Sequence, residues 1–279
     1  MAMPPAGSVS EAWVLGLERV VAEPDGRLVH LVSTVTDPGR ELARVRQVLD
    51  CALGAADKQP VDTVAETIFP SSLYSDPGFD WTPGIAQEAE AELDSAADAL
   101  YSSYCDMLPL LSSVAANNRG TYFGRMVSWP GKAAGGKNQL ADRVEALRRE
   151  HRAGRRRNNT LDMDIAADSE EPRGVQIYAA TDRRLRGFPC LTHVDLTLHD
   201  GRLHCLAVYR HQYFIEKAYG NMLGLSAMLQ FLCQQSGYEP GELVVHATMA
   251  DAQRRVFNGV PQLAVDARRA LDASIGEAQ

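Results

Sequence analysis

The chain reads as a single α+β domain over residues 1–279, and three observations lead there. Residues 191–210 alternate apolar and polar around a His199-Asp200-Gly201-Arg202 turn, the run from Asn221 to Gly237 is apolar all round, and the first hundred residues interleave helical periods with a strand-like stretch. A period of two sends alternate side chains to opposite faces of a strand, whereas a helix that is apolar on every side has to be buried. A chain of 279 residues can form one large domain or two small ones, and about 250 residues approaches the limit of a single core.

In chain order, residues 1–8 are expected to be disordered, and Ser8 or Ser10 caps a helix through Val21. Leu28 to Thr36 is strand-like, Pro38-Gly39 is a turn, and Arg40 to Ala56 is helical. Pro60 to Leu73 contains a buried helix bearing Glu66, and Ile85 to Met107 carries acidic residues on a helical period, its Glu-rich face expected to be solvated. A further helix covers Ala141 to Glu150. From His151 to Pro172 a basic run (Arg155, Arg156, Arg157) meets an acidic one without periodicity, which predicts a long mobile loop; Val175 to Ala180 resumes as a strand.

The hairpin then follows. Leu191, His193, Asp195, Thr197 and His199 share one parity while Thr192, Val194, Leu196 and Leu198 take the other, and Leu203 to Arg210 returns beyond the glycine turn. Cys190 lies at the open end with Arg210 near it. Asn221 heads the buried helix and Gly237 closes it. There is no internal repeat and no low-complexity segment.

Composition narrows the function classes. Hydrophobic residues make up 45%, charged residues 23% and aromatic residues 7%, an ordinary globular mixture. A net charge of −8 and a pI of 5.4 argue against binding nucleic-acid polymers or anionic membranes. The five cysteines (51, 105, 190, 205 and 233) are odd in number and lack any C-x-x-C spacing, the usage of a reducing compartment rather than of a disulfide framework or a metal site. No basic stretch precedes an apolar core at the N-terminus and no run reaches about 18 apolar residues, so a cytoplasmic location is expected.

The pattern Pro189-Cys190, strand, Asp200-Gly201, strand, Tyr209-Arg210, Asn221, buried helix and Gly237-Tyr-Glu-Pro-Gly241 resembles the thymidylate synthase superfamily, which includes the pyrimidine-nucleotide hydroxymethylases. Tyr122-Phe-Gly124-Arg-Met-Val-Ser-Trp129 is similar to that family's Tyr-Gly loop, Asn138-Gln139-Leu140 to its Asp-Gln-Leu helix, and Glu66 takes the place of its central-helix glutamate. The resemblance runs from about Val61 to Asp251 and is most specific between Pro189 and Gly241. It implies a central mixed sheet packed with helices around a buried helix, and a homodimer joined sheet to sheet. It also implies one-carbon transfer to C5 of a pyrimidine nucleotide, dUMP-like or a ribonucleotide, with methylenetetrahydrofolate as donor and no metal.

Roles follow from the matched positions. Cys190 would add as a thiolate to C6 of the base; a free thiol has a pKa of about 8.5 and needs a nearby cation, for which Arg210 is the candidate, doubling as a phosphate ligand. Taken alone, such a cysteine is a small buried hydrophobe and such an arginine a surface ion pair. Asn221 offers the donor and acceptor that suit uracil, or else an N-cap; Glu66 is a general base or water organiser, or else a helix-closing cap. His211, Tyr122 and Asp251 join the substrate-binding set, as does Arg173, which lies near the spacing of the arginine pair that reaches the neighbouring subunit's phosphate. Departures are equally specific. The family's Arg-Ser-x-Asp becomes Arg210-His211-Gln212-Tyr213, without the pterin-anchoring aspartate, its His-x-Tyr falls on Asp251 and Gln253, and its closing C-terminal tail has no counterpart in the 26 residues after Gln253. The rival expectation is a protein of this fold that binds a nucleotide without one-carbon transfer.

Overall fold

A computed structural model describes residues 2–114, 117, 120–129, 136–154, 161–165 and 189–277. Helices and a mixed sheet make an α+β structure, and the chain groups into two compact units. The first comprises Met1–Glu66, Cys205–Ala227 and Gly241–Gln279; the second comprises Thr67–His204 and Met228–Pro240. Strand β4 (Arg202–Tyr209), helix α7 (Tyr219–Ser236) and strand β6 (Glu239–Asp251) each begin in one unit and end in the other.

In the first unit, helix α1 (Val9–Ala22) starts at Ser8, whose Oγ accepts from the Glu11 N–H at 3.1 Å while Glu11 reaches back to the Gly7 N–H at 2.7 Å. Two otherwise unsatisfied N–H groups are thereby paired. Trp13, Leu17 and Val20 of α1 are completely buried, and the Trp13 indole donates to the Phe214 carbonyl at 3.1 Å. Gly16 lets that packing close: a Cβ there would lie 2.4 Å from the Phe214 ring. Strand β1 (Arg27–Val35) pairs antiparallel with β6 from Arg27↔Asp251 to Val35↔Leu243, and the short β5 (Gln212–Tyr213) pairs parallel with β6. Residues 2–8, expected to be disordered, instead lie along β1. Met3 donates to Val32 and Ala6 to Thr34, both at 2.9 Å, so the edge strand's carbonyls recruit the terminal segment. Helices α2 (Ala43–Ala55) and α8 (Val260–Gly276) pack together, and α8 also packs on α1.

Helix α3 (Val61–Glu66) is the helix bearing Glu66 expected within 60–73, only six residues long with Glu66 its last, and a 3-10 turn at Ser71–Leu73 follows in the second unit. Helix α4 (Gln87–Ser113) overruns the expected Met107. Its acidic face is not simply solvated: Asp94 and Glu90 lie 2.6 and 3.4 Å from Arg148 of helix α6 (Gln139–Arg152), and Glu90 also pairs with Arg152. Arg148 is buried, so it draws carboxylates from the neighbouring helix. Helix α5 (Tyr122–Val127) is capped by Thr121 and α6 by Asn138.

Strand β2 (Met163–Asp164) pairs with β3 (Leu191–His199), and β3 turns into β4 through Asp200 at φ 49° and Gly201 at φ 77°. Two successive positive φ values define the primed turn that the Asp-Gly pair predicts. Helix α7 begins at Tyr219 after a π turn (Phe214–Ala218), two residues before the expected Asn221 start, because the chain upstream is already helical. It is buried along most of its length and ends as expected at Gly237, φ 77°, whose N–H donates to the Cys233 carbonyl at 2.7 Å. The expected 175–180 strand and most of the 151–172 loop lie outside the described residues.

Candidate functional site

Cys190 stands immediately before β3, half-buried. Pro189 precedes it, and the backbone N–H groups of Cys190 and Leu191 both point at the Tyr122 hydroxyl, at 3.4 and 3.5 Å. The two stretches meet across 68 residues of sequence because Thr121 starts α5 at the right place: its Oγ1 accepts from the Gly124 N–H at 3.1 Å and shares a 2.6 Å hydrogen bond with Tyr104. Gly124 has to be glycine-sized, since a Cβ there would come within 2.9 Å of that Oγ1 and 3.0 Å of Leu108. Burial pushes the Tyr122 phenol well above its ordinary range, and negative charge on Cys190 pushes it further. Tyr122 therefore stays protonated. A neutral phenol beside Cys190 can donate a hydrogen bond to a thiolate that forms there.

Arg125, one turn along α5, also belongs to this part of the structure. Its guanidinium is fully buried, donates to the Ile165 carbonyl at 3.0 Å, and opposes the upward shift of Tyr122. A burial signal existed in the apolar neighbours Phe123, Met126 and Val127, but a single arginine among them reads equally well as an exposed helix position.

The remaining described candidates belong to the first unit. Arg210 sits half-buried in the bend between β4 and β5, followed by His211. Burial holds the His211 imidazole below its usual pKa, Asp251 opposing and Arg27 reinforcing that shift, and its Nε2 is buried with no hydrogen-bond partner among the described residues. Asn221 is 5% exposed in the first turn of α7, so a capping role falls away: the helix already runs through it. Glu66 is half-buried at the end of α3.

Asp251 is already engaged. One carboxylate oxygen lies 3.0 Å from Arg27 Nε and the other accepts the Gln253 N–H at 2.7 Å, so a ribose hydroxyl would have to share it. Gln253, which takes the other sugar-reading position of the resemblance, adopts a left-handed φ of 52° and exchanges two 3.0 Å hydrogen bonds with Glu216. Tyr213, where the resemblance places a pterin-binding carboxylate, is 46% exposed. No periodicity links Arg27 or Glu216 to Asp251 and Gln253, so this network was invisible in the sequence. Arg173, like Arg155 to Arg157, lies outside the described residues.

Tyr122 and Cys190 thus meet in the second unit, while Glu66, Arg210, His211, Asn221 and Asp251 belong to the first. Two open cavities of about 550 and 790 Å³ flank α2 in the first unit, and none of the candidate residues lines either. All five cysteines are free thiols, no cluster of three or more metal-ligating side chains exists among the described residues, and no described helix is long and apolar enough to cross a membrane. No protein-family model matches the chain, and no curated protein matches it significantly.

Proposed function

We propose that this chain is a divergent relative of the thymidylate synthases that acts at C5 of a pyrimidine nucleotide, a uracil-type base being favoured. The meeting of Tyr122 with Cys190 carries the reading. Two stretches that resemble the family separately, and are far apart in sequence, come together around the one thiol the chemistry requires. In this reading the Cys190 thiolate adds to C6, the electron pair moves to C5 and O4, and the Tyr122 hydroxyl keeps a proton with which to hold the thiolate. The resemblance assigns Arg210 to the phosphate, Asn221 to the base edge and Glu66 to proton handling. The donor implied by the resemblance is methylenetetrahydrofolate, but Tyr213 offers no carboxylate for a pterin and the residues do not fit it there. No step is assigned to the folate.

A second reading, nucleotide binding without one-carbon transfer, is favoured by that Tyr213 and by the engaged Asp251. A 5-fluorinated pyrimidine nucleotide separates the outcomes. Intact mass should show one covalent adduct, lost in Cys190→Ser and retained in Cys205→Ser, whose thiol is buried. Binding by calorimetry without adduct or C5 tritium exchange would establish the second reading, and an adduct of equal yield in Cys190→Ser would refute the first.

The same reading makes the protein a homodimer. In the first unit, Leu31, Ser33 and Val35 of β1 and Leu243, Val245 and Ala247 of β6 are buried, while the other parity, with Val32 and Val244, is half-exposed. A half-covered sheet face that mixes Leu28, Val32 and Val244 with Thr34 and Thr248 suits a second copy, and a specific dimer buries at least about 1,200 Å² in total. Light scattering at micromolar concentration should give twice the chain mass; a monomer would exclude the sheet-to-sheet assembly.

A further inference from the structure

The half-exposed face of β1 and β6 carries a feature that pyrimidine chemistry does not use. His30 Nδ1 and His246 Nε2 lie 3.0 Å apart, their ring centroids separated by 5.3 Å. The register explains the meeting: His246 is opposite Val32, so His30 is its diagonal neighbour on the same parity of the ladder. His30 adopts a left-handed φ of 54° in mid-strand, while pairing continues on either side through Val29↔Met249 and Leu31↔Ala247. A side chain that is not glycine rarely holds that conformation within a strand, and histidine is among the few that tolerate it.

We propose that His30 and His246 form a two-imidazole chelate for a borderline divalent cation of the zinc, nickel or copper class. Imidazole nitrogens suit these ions, and two ligands each 2.0–2.1 Å from a tetrahedral centre stand about 3.3 Å apart. Opening the observed 3.0 Å by a few tenths of an ångström admits the metal between them. The hydrogen now shared between the facing nitrogens moves to the far nitrogen of its own ring, so both lone pairs turn to the metal and no net proton is released from the neutral pair. No third protein ligand joins them among the described residues, so ligands from outside them complete the shell. The ion would clamp β1 to β6.

The test uses Ni(II) and the full chain in a Cys51→Ser background, which removes the exposed thiol. Calorimetry should show one equivalent bound per chain, with a rise in Tm on metal addition because the ion binds only the folded ladder. His30→Asn, which keeps a residue that tolerates positive φ, and His246→Gln should each lose both the equivalent and the Tm rise, while His199→Ala, an exposed histidine of the hairpin turn, should lose neither. Circular dichroism of the apo variants verifies that they are folded. Unchanged Ni(II) binding in either His30→Asn or His246→Gln, or the absence of any Ni(II) equivalent in the parent, would overturn the assignment.

Discussion

Replacing Gly237 with alanine tests how the C-terminus of α7 is built. Two separate penalties arise. The first is conformational: Gly237 has φ 77°, and an L side chain in the left-handed region costs roughly 1–2 kcal/mol. The second is steric, since a Cβ at this position would lie 2.2 Å from the Trp81 carbonyl oxygen. That carbonyl cannot simply swing away. Trp81 is completely buried, its N–H donates to the Gln234 carbonyl at 2.8 Å, and its indole donates to Glu90 at 3.2 Å. Shifting it strains the packing by about 1–3 kcal/mol. Together the penalties reach about 2–5 kcal/mol, and for a chain of this size each kilocalorie lowers Tm by roughly 2–4 °C, so a loss near 10 °C is expected by calorimetric scanning. Gly201→Ala is the matched control: its φ is also 77° but its Cβ would meet nothing within 4 Å, leaving the first penalty alone. Equal losses in the two variants would refute the steric argument.

Three further predictions follow from local geometry. Arg148→Met should destabilise by about 2–4 kcal/mol in urea titration, because this 7%-exposed guanidinium bonds Asp94 at 2.6 Å and Gln235 at 2.6 and 2.8 Å; Asp94→Asn, at a carboxylate 54% exposed, should cost under about 1 kcal/mol. Ser8→Ala should cost about 1 kcal/mol by removing the α1 cap, and Ser8→Asp should restore most of it. Burial depresses the His211 pKa, so the unfolded chain takes up the proton first as pH falls. The stability this group contributes is complete above an ordinary imidazole pKa of about 6.5 and is lost below it, and urea midpoints measured between pH 8 and 5 should fall less steeply in His211→Asn than in the parent.

Local chemistry is what the sequence alone determined. Ser8 or Ser10 announced the first helix start, Asp200-Gly201 announced a tight turn, Gly237 announced a helix end, and the parity of β3 and β4 announced a hairpin, because each signal depends on neighbours within a few residues. The Tyr122 and Cys190 segments were legible as motifs, though not as neighbours. Tertiary structure decided whatever depends on partners distant in the chain. The terminal residues 2–8 read as disordered because nothing local orders them, yet the open carbonyls of β1 do. The acidic face of α4 read as solvated because its counter-charges, Arg148 and Arg152, arrive from α6. Asp251 read as available because Arg27 stands 224 residues away. A propensity or a period records only the chain beside it, whereas burial and charge pairing are set by what the fold brings within a few ångströms.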